Sequence, residues 1–167
     1  MPLYEGTTGI QAQALLGRQV FGNGGRSLTA WYGEVTKDVF EAQEMPVLKP
    51  YRNQLETAIR LFQKVTTHLL KTAEKGDQEV FLADANLYLE AFGILNVGWQ
   101  WLRQAIAAQQ ALDAGRDLGS DAVFYQSKIH TMQFYFHYEL PKMKGLTTRL
   151  LDTLSLTVFD QKTEVIV

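Results

Sequence analysis

The chain has 167 residues, a formal net charge of −2, 46% hydrophobic and 20% charged residues, and no cysteine. That size suits one domain with a real core. The charge gives no reason to expect nucleic acid or an anionic membrane as partner, and without cysteine there are no disulfides, thiol nucleophiles or cysteine metal sites.

The lack of thiols fits a reducing cytosol, and a cytoplasmic location is the expectation. No basic region followed by an apolar run opens the sequence, so no secretory signal is expected. No apolar stretch approaches the ~20 residues of a membrane span.

Five segments have helical character. The first, 7–20, has Thr7 or Thr8 as its cap and Ile10, Ala14, Leu15 and Leu16 as an apolar side; Gly9 and Gly17 weaken it. The run Gly22–Ser27 breaks the chain as an interhelical loop. It is not a phosphate-binding loop, lacking the preceding strand and the following Lys-Ser or Lys-Thr. Ser27 can cap a second helix over 28–43 that puts Leu28, Trp31, Val35, Val39 and Ala42 on one face. Pro46 and Pro50 oppose helix in the residues before them.

The third helix is expected over 51–74. Leu55, Ala58, Ile59, Phe62, Val65, Leu69 and Ala73 follow the i, i+3, i+4, i+7 spacing, and Gly76 stops it. The fourth is expected as one helix over 78–114, with a stripe from Phe81 to Ile106. Leu82, Leu89, Val97 and Trp101 lie off that stripe, so the helix should be buried on more than one side, at the centre or at a subunit interface. Ser120 can cap a fifth helix from 121 past Pro141 towards 154, lined by Val123, Ile129, Met132, Phe136, Leu140 and Met143 and kinked or restarted at the proline. An extended or unstructured tail, 155–167, follows.

No apolar/polar alternation is long enough to demand a sheet. The expected fold is all-α, an antiparallel bundle of about four to five helices.

Chemistry has few carriers here. The three histidines, His68, His130 and His137, have no Glu three residues before them, so the Glu-x-x-His pairs of a di-iron bundle are missing and no metal site is expected. The aromatic run Phe134–Glu139 suits core or interface packing better than base stacking, having no interleaved basic residues. Taken by itself, Tyr4-Glu5-Gly6-Thr7 is a loop entering a helix, with Glu5 near a helix N-terminus that favours its charge.

The stretch Leu3–Gln19, however, resembles the segment of acyl-CoA dehydrogenases that carries the catalytic base. Tyr4, Glu5, Gly6, Thr7, Ile10 and Gln11 fit the family pattern, and Leu15–Arg18 resembles the large subgroup with an extra C-terminal helical domain. Phe134–Leu146 resembles, more loosely, the closing helix of that domain.

The resemblance implies that Glu5 removes the α-proton of an acyl-CoA thioester while hydride passes to FAD. Thr7, Thr8 and Gly9 would face the cofactor, and Tyr4 and Gly6 the substrate. It also implies a division of the chain: 1–21 ends the catalytic helical domain, 22–50 connects, 51–154 forms the extra bundle and 155–167 is the tail. The implied setting is fatty acid metabolism, with acyl-CoA and an electron acceptor as partners and a homo-oligomer as the assembly. The implied function is therefore that of the C-terminal fragment of a flavin-dependent acyl-CoA dehydrogenase. The fragment alone would be inactive and would not bind FAD, since most of the flavin-binding surface belongs to other domains. The alternative is a stand-alone helical interaction or oligomerisation module without catalysis.

Overall fold

The structure is a computed structural model that describes residues 7–22, 24–114, 119, 121–152, 154 and 156–158. Seven α-helices occur among them: α1 (Thr8–Gln13), α2 (Arg26–Glu41), α3 (Lys49–Glu74), α4 (Gln78–Ala83), α5 (Ala85–Asp113), α6 (Asp121–Tyr138) and α7 (Met143–Leu150). No strand occurs among the described residues. The all-α bundle read from the sequence is the fold.

α5 is the central element and packs against α1, α2, α3, α6 and α7. Its neighbours run in defined senses. Thr66 and Phe62 on α3 meet Tyr88 and Phe92, while Leu55 approaches Gly98, so α3 and α5 are antiparallel. Tyr135 on α6 donates its hydroxyl to the Ile94 carbonyl at 3.0 Å, and Lys128 lies over the Trp101 ring, so α6 is antiparallel to α5 as well. α2 runs parallel to α5, its Trp31 donating to Asn96 at 2.8 Å and its Asp38 accepting from Trp99 further along. One buried cluster extends from Ala12 to Leu150, with Phe62, Tyr88, Leu95, Leu102, Met132 and Phe136 fully enclosed.

Several boundaries differ from the sequence reading, each for a local reason. α2 begins at Arg26, not after a Ser27 cap. Gly25 takes the cap position in a left-handed conformation (φ 72°), one that side chains disfavour, and its carbonyl accepts from the Thr29 N–H at 2.8 Å. α3 begins at Lys49, because Pro50 sits in the first turn, where no backbone N–H is needed.

The expected single helix over 78–114 is broken at Asp84 (φ −105°, ψ 25°). Asp and Asn in "ADAN" compete with helical hydrogen bonding, and the Asp84 carboxylate is drawn out to Arg149 at 3.0 Å. α6 ends at Tyr138, a 3₁₀ turn spans Leu140–Lys142, and α7 starts after Pro141, so the chain restarts at the proline as expected. α7 stops at Leu150, short of 154. The proposed Ser120 cap lies outside the described residues.

Two residues assigned to inner faces are exposed instead: Ile10 at 69% and Val123 at 69%. Val123 lies on the side of α6 opposite Ile129, Met132 and Phe136, which are buried. Ile10 lies in α1 two residues from buried Ala12, about 200° around the helix from it.

Candidate functional site

The helical segment expected over 7–20 is wound in two ways. α1 covers Thr8–Gln13, and Ala14–Phe21 continues as a π-helix, with Gly22 N–H bonded to the Gly17 carbonyl at 2.8 Å, five residues back. π-helical turns are rare and concentrate at functional sites. Here the winding has a packing consequence. Ala12, Leu16 and Val20 are spaced strictly by four and are all buried on the bundle. Four residues overshoot one α-turn by about 40°, so such a stripe drifts around an α-helix. The wider π turn takes more residues per revolution and keeps the stripe on the core.

The segment is fixed to the bundle at several points. α1 and the π-helix both pack on α5. Phe21 meets Phe81 of α4 with ring centroids 5.6 Å apart. Gly17 faces Leu82, and a methyl group added there would lie 3.8 Å from it, an ordinary contact. A cleft of about 560 Å³ beside the segment is lined by Gln13, Glu79, Leu82 and Val158, among others.

Of the six residues singled out in the sequence, Tyr4, Glu5 and Gly6 lie outside the described residues. Thr7, Thr8 and Gly9 are described, half-buried, and stand together where the chain enters α1. Thr7 holds the N-cap position; its carbonyl accepts from Gln11 N–H at 2.9 Å, and its side chain makes no capping hydrogen bond. The first-turn N–H groups have no partner within the helix itself, as at any helix start. A Cβ added at Gly9 would meet nothing within 4 Å among the described residues, and Gly9 has no positive φ. Neither packing nor backbone within this chain therefore calls for glycine there.

Elsewhere the chain offers little chemistry. No group of three or more His, Cys, Asp or Glu able to hold a metal occurs among the described residues. His130 and His137 share a face, as their spacing suggests, and line a shallow cleft with Tyr51, Gln133, Phe134 and Tyr138. A largely apolar groove of about 650 Å³ runs between α3 and α7 over Ala58, Phe136, Leu140 and Met143, away from Thr7–Gly9.

A feature that the sequence reading missed is a buried polar cluster between α2, α3 and α5. The Thr66 hydroxyl bonds the Phe62 carbonyl at 3.0 Å and the Tyr88 hydroxyl at 2.9 Å. Burial drives the Tyr88 phenol well above its ordinary range, with the Thr66 bond opposing it. Tyr32 Oη is buried and makes no hydrogen bond; burial pushes its pKa up to about 12, offset in part by the neighbouring Thr66. Helical periodicity alone could not reveal this cluster, because its members come from three elements.

Comparison with known proteins bears on the whole chain. Residues 31–158 match the family described as "Acetyl-CoA dehydrogenase C-terminal like". The chain is 34% identical over 160 residues to 3-methylmercaptopropionyl-CoA dehydrogenase of Ruegeria pomeroyi, a match covering 92% of this chain and 25% of that protein. It is 31% identical over 163 residues to the broad-specificity linear acyl-CoA dehydrogenase FadE5 of Mycobacterium tuberculosis, covering 95% of this chain and 26% of that protein. The chain thus spans about a quarter of the length of these curated relatives. No described helix is long and apolar enough to cross a membrane.

Proposed function

Because the chain belongs to the acetyl-CoA dehydrogenase C-terminal-like family, we propose that it acts as the C-terminal portion of an FAD-dependent acyl-CoA dehydrogenase. The observation that carries this reading is the 34% identity to such a dehydrogenase across 92% of this chain and only 25% of the relative. In that enzyme Glu5 is the base. Removing a weakly acidic α-proton requires a carboxylate held close, shielded from water and raised in pKa. Gly6 lets the backbone approach the thioester, and Tyr4 lines the substrate side. Thr7 and Thr8 offer hydroxyl and N–H donors to the cofactor, and the bare Gly9 leaves room for it. FAD held beside Thr7, Thr8 and Gly9 would supply the acceptor for the hydride from the β-carbon.

The division of labour proposed for the chain is that 1–21 completes the catalytic helical domain, 22–50 connects it and 51–154 forms an additional bundle. The packing of α1 and the π-helix on α5 supports a mounting role, in which the bundle holds the segment that follows the base. Acyl-CoA and an electron acceptor are the proposed partners of the whole enzyme, with self-association of this chain within it and a cytoplasmic setting in fatty acid metabolism.

The test uses the full-length enzyme. Glu5→Gln should lower kcat by about 10²–10⁴-fold while the flavin absorbance of the purified protein stays unchanged. Undiminished turnover would remove Glu5 from the base role. The 167-residue chain alone should purify colourless, and a retained yellow flavin spectrum would overturn its dependence on the rest of the enzyme.

A further inference from the structure

We propose that the outward face of α6 is a self-association surface, on which a second copy of this chain seats its own α6 antiparallel about a two-fold axis near Thr131. The proposal rests on the self-association put forward above and names the surface that carries it.

The first ground is that α6 is apolar on both sides. Ile129, Met132 and Phe136 are buried against the bundle, while Val123, Phe124, Phe134 and Tyr138 are 69%, 55%, 53% and 65% exposed on the other side. The Phe134 and Tyr138 rings stack with centroids 4.6 Å apart, giving a flat aromatic patch open to solvent. A surface helix normally turns one stripe inward and keeps the rest polar; one that is apolar all round is covered on more than one side.

The second ground is spacing. Phe124, Ser127, Thr131, Phe134 and Tyr138 recur at intervals of three, four, three and four. This is the narrow seam of paired helices, not the broader stripe of a helix lying on a core.

The third ground is charge, and it selects a second copy in antiparallel orientation. A two-fold axis brings a surface against itself, so charges near the axis repel their own images. The seam residues carry none. Lys128, the cation beside them, is turned onto the Phe124 and Trp101 rings, 5.1 and 5.9 Å from their centroids. Beyond the seam, Asp121 opens α6, and Glu139, Lys142 and Lys144 follow its end, with Lys142 bonded to Glu139 at 2.6 Å. Antiparallel pairing about Thr131 sets Phe124 opposite the second copy's Tyr138, so that aromatic meets aromatic at both ends of the seam. It also opposes the two helix dipoles, whereas parallel pairing would align like ends.

The area fits a reversible contact. The four exposed side chains offer roughly 400 Å² of apolar surface per copy, taking the usual size of such side chains. A standard interface buries about 800 Å² per partner, so Ser127, Thr131 and the polar rim complete a modest interface. An affinity in the micromolar range is expected.

Sedimentation equilibrium of the 167-residue chain from about 1 to 500 μM brackets such an affinity and should show a reversible monomer–dimer transition. Phe134→Glu should weaken it by roughly ten-fold or more with helicity unchanged, whereas Phe40→Glu, at a still more exposed aromatic on α2, should leave it intact. The absence of native cysteine allows a positional test. Thr131→Cys should form disulfide-linked dimers on mild oxidation. Val123→Cys should not, since two copies of that position would stand about 24 Å apart along the helix axes at 1.5 Å per residue. A dimer insensitive to Phe134→Glu, or one that cross-links as readily at 123 as at 131, overturns this surface and leaves self-association standing. A monomer at every concentration overturns both.

Discussion

At the scale of single residues, Tyr32 is the clearest case of a group that the fold leaves at a disadvantage. Its hydroxyl is buried without a hydrogen bond beside the paired Thr66 and Tyr88. An unsatisfied buried hydroxyl costs about 1–3 kcal/mol, so Tyr32→Phe should leave stability unchanged or raise it by about 1 kcal/mol, measured by urea unfolding. Tyr88→Phe should destabilise instead, by about 1 kcal/mol, because it removes the buried bond to Thr66 and leaves that hydroxyl with the Phe62 carbonyl alone. The same tyrosines set an alkaline limit. Burial raises Tyr32 to about 12, and it raises Tyr135 to about 12 with the Glu139 charge adding to it. A folded pKa above the unfolded value of about 10 gives stability that is complete below pH ~10 and is lost as pH rises towards 12. Thermal melts should therefore be insensitive to pH just below 10 and fall steadily above it, less steeply in Tyr32→Phe. At the candidate site, Gly9→Ala should keep or slightly increase stability, since the added methyl meets nothing within 4 Å among the described residues and alanine favours helix. A large loss of flavin binding in the full-length enzyme, with no loss of stability, would place Gly9 against the cofactor; unchanged binding would remove it from that role.

At the scale of elements, the long helices were legible and their interruptions were not. Leu55, Ala58, Ile59, Phe62, Val65, Leu69 and Ala73 were read as one face of α3, and all are buried. Pro141 was read as a kink or a restart because its effect is local and steric, and the structure shows a restart. The break at Asp84 has a different origin, since it depends on Arg149, 65 residues away in sequence. Arg149 also binds Asp152 at 3.3 Å and the Leu154 carbonyl, tying α7 and the following residues to the α4–α5 junction. Arg149→Ala should cost about 1–2 kcal/mol, between the values for exposed and buried pairs, with helicity retained; a cost near zero would show that the break needs no partner. The π-helix was likewise invisible, because periodicity analysis assumes α winding. Leu16, fully buried where that segment meets the core, should cost 2–5 kcal/mol as Leu16→Ala in the same unfolding assay.

At the scale of the whole molecule, the core makes the segment after the proposed base motif part of the bundle. Ala12, Leu16 and Val20 belong to the same buried cluster as Phe136 and Leu150, so residues 8–21 and α7 are held in one packed body. Unfolding of the chain should accordingly be cooperative, with circular dichroism and tryptophan fluorescence giving coincident transitions. Trp31, Trp99 and Trp101 all pack against that cluster and report on it. Two separated transitions would show that the N-terminal segment melts independently of the bundle.

The sequence by itself determined the all-α class, the central place of the helix around Leu95 and the resemblance at Tyr4–Gln11, because each depends on residue type and spacing within a short window. It also favoured core or interface packing over base stacking for the aromatic run from Phe134. Only the tertiary structure decided how that run divides: Phe136 inside, Tyr135 on the Ile94 carbonyl, Phe134 and Tyr138 outside. Only the tertiary structure decided that Asp84 would leave its helix for Arg149, that Tyr32 would lack a partner, and that residues 14–21 would wind as a π-helix. Each of these balances a local helical preference against a contact made by residues distant in the chain, and the distant contact exists only once the bundle has closed.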